Sequence, residues 1–214
     1  MRAYSERGTR NAELPAYALI LAAGSGSRFG GEKLLAPFHG RPLVAHAAAA
    51  VAEAIAAGTL AGGVAVIPPA APVLARTLDA LGLRLVENPE AVLGMATSLR
   101  RGLAALGEHT APPAGGAVIV LADQPFLRAE VIARLVAGWR QSGRSTRPRY
   151  LATPAEPGHP VLLDRSLWHL AGRLTGDTGL KQLLGSEPVI HVDVAGANPD
   201  VDTPADLRQL EDSR

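Results

Sequence analysis

The residues best equipped for chemistry lie at 21–33, Leu-Ala-Ala-Gly-Ser-Gly-Ser-Arg-Phe-Gly-Gly-Glu-Lys. They follow the apolar run 17–21 and precede a helix-like run that starts near Pro42. Glycine lets a chain turn tightly and approach a ligand closely. Consecutive backbone N–H groups then form an anion-binding concavity. Arg28 and Lys33 add positive charge beside it, so the loop is expected to grip a triphosphate. Two common glycine motifs fail on spacing. A Walker loop needs Ser or Thr after the lysine, and Lys33 is followed by Leu34. A dinucleotide fingerprint needs a third glycine three residues after Gly26, and here it falls at Gly30, one place late. A glycine turn that holds no ligand is the plain alternative, and two cations in one loop argue against it.

A polyphosphate brings charge that must be offset, and Mg²⁺ takes hard oxygen ligands, usually one or two carboxylates with phosphates and water. Asp123 ends the strongly apolar run 117–122 and is the first candidate. Capping the next helix is its other use, but that helix starts only at about Arg128. Asp202 is the second candidate, with Asp200 behind it. Asp202-Thr203-Pro204 is equally a good helix start, with Thr203 as cap and Pro204 in the first turn. Asn88 precedes Pro89 and reads either as an amide for base or ribose or as a turn residue. Gly94 and Ser98 lie at a helix start, which either faces a ligand with its N–H groups or is only a helix start. His159 sits in a proline-rich loop, where a surface imidazole is the common outcome. Asp177 and Lys181 have the spacing of a helical ion pair. No His cluster has zinc spacing and no Ser/His/Asp set is recognisable.

These residues need a scaffold. Apolar runs at 16–22, 63–67, 83–87, 117–122, 150–153, 161–163 and 188–194 read as strands. Helix-patterned segments are expected at 42–57, 71–81, 94–106, 128–139, 166–173, 179–184 and 204–211. Residues 142–149 read as a polar, basic turn. Such alternation implies βαβ units and a mostly parallel sheet with helices on both faces. Ligands bind such sheets outside the carboxyl ends of the strands. The glycine loop, Asn88, Asp123 and the acidic pair at 200–202 each follow a strand, so they are expected to converge on one edge.

The chain has 214 residues, enough for one substantial core. Residues 1–15 are expected to form a flexible tail and 16–214 a single domain. A net charge of +1 and 4% aromatic residues give no nucleic-acid footprint. There is no cysteine, which excludes disulfides and thiolate metal sites. No apolar run approaches the ~20 residues of a membrane span. A cytoplasmic location is expected.

The motifs also fall in a familiar order: the loop at 21–33, Asn88-Pro89, Gly94-Met-Ala-Thr-Ser98, Leu121-Ala-Asp123-Gln-Pro125, Gly158-His159-Pro160, Gly176-Asp177-x-Gly179 and Asp200-Val-Asp202-Thr-Pro204. Together they resemble the molybdenum cofactor cytidylyltransferase branch of the molybdopterin nucleotidyltransferases. The resemblance covers nearly everything after Tyr17. It implies a three-layer α/β/α Rossmann-like nucleotidyltransferase fold and Mg²⁺-dependent transfer of a nucleoside monophosphate to a phosphorylated acceptor, with release of pyrophosphate. By resemblance Leu21, Ala22, Ala23, Gly24, Ser25, Gly26, Arg28, Lys33, Asn88, Gly94 and Ser98 line the nucleotide pocket. Lys33, Arg28 and Asp123 serve catalysis, and Asp123 and Asp202 hold the metal. Gly158, His159 and Asp177 bind the acceptor, and a molybdoenzyme partner in maturation is implied. Alanine rather than glycine at 23 narrows the base site and favours CTP over a purine, as does Ile67-Pro68-Pro69, which departs from the asparagine-bearing strand end of the guanylyl branch. The other readings are a guanylyl- or other nucleotidyltransferase with a different acceptor, a non-catalytic nucleotide-binding accessory module, and an NAD(P)-dependent oxidoreductase, against which the late Gly30 speaks.

Overall fold

The computed structural model describes residues 14–212, apart from residues 25, 27, 28, 31, 157, 178, 179, 181–183 and 186. Nearly all of the expected tail, together with Ser25, Arg28 and Lys181, lies outside the described residues. So does most of the helix expected at 179–184.

Seven strands form one sheet: β1 (Ala16–Leu21), β4 (Gly63–Ile67), β5 (Arg84–Glu87), β6 (Gly116–Leu121), β7 (Thr146–Tyr150), β8 (Val161–Asp164) and β9 (Ile190–Val194). Their order is β5-β4-β1-β6-β8-β7-β9. All run parallel to β1 except β8, which is antiparallel to both neighbours. A two-stranded ribbon, β2 (Pro37–Phe38) with β3 (Arg41–Pro42), lies outside it. Among the described residues the α-helices are α1 (Leu43–Ala56), α2 (Pro72–Asp79), α3 (Met95–His109), α4 (Ala129–Ser142) and α5 (Pro204–Asp212), with 3-10 helices over Lys33–Leu35, Ala91–Leu93 and Arg165–Arg173.

The centre of the sheet is buried on both faces, and β1 is apolar and buried at every position. Ala16, Ala18 and Ile20 pack with Val44, Val51, Leu78 and Leu135 of α1, α2 and α4. Tyr17, Leu19 and Leu21 face the other way and pack with Leu99, Leu103, Leu106 and Trp168. Alternate side chains of a strand point to opposite faces. A strand apolar on both therefore demands two helical layers, and this is the three-layer α/β/α fold expected. On the second face α3 approaches β1 closely at Gly102, where an added Cβ would stand 2.2 Å from Leu19 Cδ1.

Two neighbouring expectations fail, the turn at 142–149 and the strand at 150–153. Residues 142–149 are not a polar turn, since β7 begins at Thr146, and 151–156 are turns rather than strand. β7 lies between β8 and β9 and pairs with β9 along its whole length. Thr146 and Arg147 are buried and each finds a partner, although Arg147 Nε has none among the described residues. Thr146 Oγ1 donates to Leu135 O at 3.0 Å, and an Arg147 Nη2 donates to Gly158 O at 3.1 Å. Tertiary pairing overrode the composition that marked this stretch as a turn.

The polarity of the sheet brings the site together. β1, β5, β6 and β9 all end on one edge, and antiparallel β8 begins there. The glycine loop, Asn88, Asp123, residues 158–160 and residues 198–202 therefore meet on that edge.

Candidate active site

The centre of the site is an ion-pair bridge. Lys33 Nζ lies 2.7 Å from Asp123 Oδ2 and 3.4 Å from Asp202 Oδ1. Lys33 comes from a short 3-10 turn after the glycine loop, and Asp123 follows β6. Asp202 is delivered by the segment before α5, from 169 residues away in the chain. The Lys33 side chain is 12% exposed and that of Asp123 22%. Asp123 therefore does not cap α4, which starts after Arg128 with no side-chain cap.

The Asp202 alternatives prove compatible. Thr203 Oγ1 accepts from the Asp206 N–H, while Asp206 Oδ2 accepts from Thr203 N–H at 2.7 Å and Asp202 N–H at 3.0 Å. This reciprocal cap leaves the Asp202 carboxylate directed at Lys33. The hydrogen bonds from Thr203 and Asp202 hold the Asp206 carboxyl below its ordinary range. Asp200 behaves differently. Burial at its carboxyl end pushes its pKa up, and repulsion from Asp123 and Asp202 adds to the rise, while a hydrogen bond from Gln124 opposes it.

Beside the bridge opens a cleft of about 790 Å³, the size of a small-molecule site. Ala22, Ala23, Gly24, Gly26, Gly30 and Lys33 form its floor. Pro68, Pro69, Val73, Pro89 and Val92 form an apolar wall, and Val73 and Val92 are large apolar side chains left exposed at the rim. That wall was not legible in the sequence, because β4 and β5 had to be placed side by side before their following loops could share a cavity.

Leu21 is core, buried beneath the cleft rather than lining it. Asn88 lines the cleft but is fully buried, and both its amide protons are used, at 2.9 Å to Thr97 Oγ1 and 2.9 Å to Ser98 Oγ. Its Oδ1 accepts from Glu90 N–H at 3.0 Å. Asn88 and Ser98 thus brace the cleft floor against α3. Gly94 has φ +106°, and a Cβ there would come within 2.2 Å of the Gly176 carbonyl carbon. Asp177 Oδ1 accepts from Met95 N–H at 3.2 Å. The structure thus sets Asp177 at the start of α3 rather than with Gly158 and His159, because the free N–H groups of a helix terminus attract a carboxylate. Gly94→Ala is expected to destabilise the protein by about 2–4 kcal/mol through strain and clash. A urea midpoint unchanged from wild type would show that the 94–176 contact is dispensable.

Gly158 and His159 line a separate cavity of about 140 Å³, together with Gln124, Tyr150, Asn198 and Asp200. His159 Nδ1 is buried with no hydrogen-bond partner among the described residues. Burial pushes the His159 pKa down to about 4, the Arg147 guanidinium adds to the fall, and a backbone contact to Ile119 opposes it. The unfolded chain therefore takes up this proton near pH 6.5, and the folded chain only near 4. Stability is full above about pH 6.5 and falls as pH drops towards 4, by about 2 kcal/mol between pH 7 and 5. Urea melts at the two pH values check this, with His159→Asn expected to remove that part of the slope.

The two carboxylates also pass a test of fit for a divalent cation. Their oxygens are hard donors, and an ammonium already bridges them. Among the described residues no three His, Asp or Glu side chains gather as a cage. Two carboxylates suit an ion that takes its other ligands from phosphate and water.

A glycine-lined cleft, a charge-bridged carboxylate pair and strand ends on one edge of a three-layer sheet form the arrangement expected of a nucleotidyltransferase. The model of the MobA-like NTP transferase domain matches residues 18–192, and the chain belongs to that family. A probable molybdenum cofactor guanylyltransferase from Thermococcus gammatolerans is 29% identical over 141 residues, and the chain spans 65% of that relative's length, with 65% of this chain covered. The crystal structure of Rv0371c from Mycobacterium tuberculosis superposes with a TM-score of 0.76 at 27% identity, covering 94% of this chain and 99% of that one. Its manganese complex gives 0.74 at 26% identity, covering 94% and 100%. The 4-diphosphocytidyl-2C-methyl-D-erythritol synthase of Anaerococcus prevotii shares the fold, with a TM-score of 0.74 at 16% identity over 95% and 96%. Family membership decides for a transferase over the accessory-module and oxidoreductase readings. Among the described residues, no helix is long and apolar enough to cross a membrane.

Proposed function

We propose that the protein transfers CMP from CTP to a phosphorylated acceptor of the molybdopterin type, with Mg²⁺, releasing pyrophosphate. The observation that carries this reading is the Lys33 bridge to Asp123 and Asp202 at the mouth of the glycine-loop cleft. An acceptor phosphate oxygen attacks the α-phosphorus. The new P–O bond forms as the α–β bridging bond breaks, and pyrophosphate leaves with its electron pair. The acceptor is already an anion, so no general base is required. Nucleotidyl transfer asks mainly for alignment and charge stabilisation. Lys33 and Arg28 offset charge on the triphosphate and on departing pyrophosphate. Asp123 and Asp202 would hold the cation, which when bound neutralises phosphate oxygens.

The Ala23 side chain is buried in the cleft floor, which supports a pyrimidine. Guanylyl transfer is the second reading, favoured by the name of the Thermococcus relative. Gly158 and His159 are assigned to the acceptor side, in a single domain over 16–214 that works in the cytoplasm and hands its product to a molybdoenzyme. The test is pyrophosphate release with Mg²⁺, each nucleoside triphosphate in turn and a molybdopterin-type acceptor. Turnover with CTP is expected. Turnover only with GTP establishes the second reading, and turnover only with another acceptor removes the molybdopterin assignment while leaving the reaction class.

A further inference from the structure

Gln124 follows Asp123 directly and is 5% exposed. Its carboxamide is used at both ends. Nε2 donates to Asp200 Oδ1, and Oε1 accepts from Asn198 Nδ2 at 3.1 Å. A third tie joins the same segments, from Val201 N–H to Asp123 O at 3.0 Å. Val201 is itself fully buried, in a cluster with Phe38, Leu43 and Leu207. Residues 198–201 are thus fastened to the end of β6, and Asp202 emerges from that fastening opposite Asp123. Asn198 Oδ1 is buried with no partner among the described residues.

We propose that Gln124 is a positioning residue of the metal site, whose carboxamide holds Asp200 apart from the cation and sets Asp202 opposite Asp123. The inference rests on the metal-dependent reading above. The chemistry requires a carboxamide. One end must donate to a carboxylate and the other must accept from an amide. Glutamate offers acceptors only and would face Asp200 with like charge, and leucine offers neither. Three aspartates share this edge of the sheet, and sequence spacing does not say which two serve together. The Gln124 bond distinguishes them, since Asp200 is turned to Gln124 and Asp202 to Lys33.

The test measures Mn²⁺ affinity of the full chain with saturating CTP, by calorimetry or by the loss of the free Mn²⁺ resonance, for wild type, Gln124→Glu, Asp200→Asn and the double variant. Partners that orient metal ligands commonly change affinity by about 10–100-fold when lost. Gln124→Glu is expected to weaken Mn²⁺ at least about tenfold and to raise the Mn²⁺ needed for half-maximal turnover, with metal-free CTP affinity nearly unchanged. Asp200→Asn alone is expected to bind Mn²⁺ within about threefold of wild type, because its oxygen still accepts from Gln124. In the double variant donor and acceptor exchange sides, and most of the lost affinity is expected to return. Wild-type affinity in Gln124→Glu, no recovery in a folded double variant, or a large loss in Asp200→Asn alone would each overturn the proposal. If Gln124→Glu does not fold, the Asp200→Asn and double variants still decide. If wild-type protein binds CTP but no Mn²⁺, the metal-dependent reading itself falls and takes the proposal with it.

Discussion

Asp123→Asn is expected to lower kcat about a thousandfold while leaving the fold intact. Asp123 supplies the more buried carboxylate of the pair, 22% exposed against 49% for Asp202, and contacts Lys33 at the shorter distance. Losing its charge removes a hard oxygen donor where phosphate charge must be neutralised. Stabilisation of that kind is worth several kcal/mol, and about 4 kcal/mol corresponds to that thousandfold. Folding has other supports. The Asp123 carbonyl still accepts from Val201, and β6 still pairs with β1 and β8. The lost ion pair is partly solvated and contributes about 0–1 kcal/mol, at most roughly 2–4 °C in Tm for a chain of this size. Steady-state rates and a thermal melt measure both. Near-normal kcat in the folded variant would remove Asp123 as the main metal ligand.

Lys33→Met is the second large effect, and it acts in two directions. The substitution keeps an apolar stem of similar length and deletes the ammonium. Hydrogen bonds to charged partners are worth about 1.5–3 kcal/mol, so CTP affinity should fall by about 10–100-fold. Affinity for Mn²⁺ alone should rise, because the ammonium stands between the two carboxylates a metal would use. In the free protein lysine and metal are expected to compete for those oxygens, and the charge of a bound triphosphate is expected to draw the ammonium away. Calorimetry with CTP and with Mn²⁺ separately reads both changes. Unchanged CTP affinity would remove Lys33 from the triphosphate grip. Unchanged Mn²⁺ affinity would mean that Lys33 does not compete for these carboxylates.

Much of the fold was legible because its determinants are local. The apolar run of β1 has no polar face, which requires cover on both sides. Alternating strands and helices require parallel pairing, and parallel pairing places loop after loop on one edge. The strand β7 was not legible. Its buried Thr146 and Arg147 find partners on α4 and beside β8, and those partners exist only after the sheet has formed. The cap at Thr203 was readable from the Asp-Thr-Pro helix start, while its reciprocal partner Asp206 came to light only in the structure.

By itself, the sequence determined the kind of site. A glycine turn with cations, and carboxylates at strand ends, follow from backbone geometry and period, which neighbouring residues control. Only the tertiary structure decided how the side chains divide their work. It joined Lys33 to Asp123 and Asp202, gave Asp200 to Gln124, set Asp177 on α3 and raised an apolar wall from Pro68, Pro69, Val73 and Val92. These contacts link residues separated by up to 169 positions. Which of several chemically equivalent carboxylates meets a given cation depends on a few ångströms, and those are set by packing across the whole sheet.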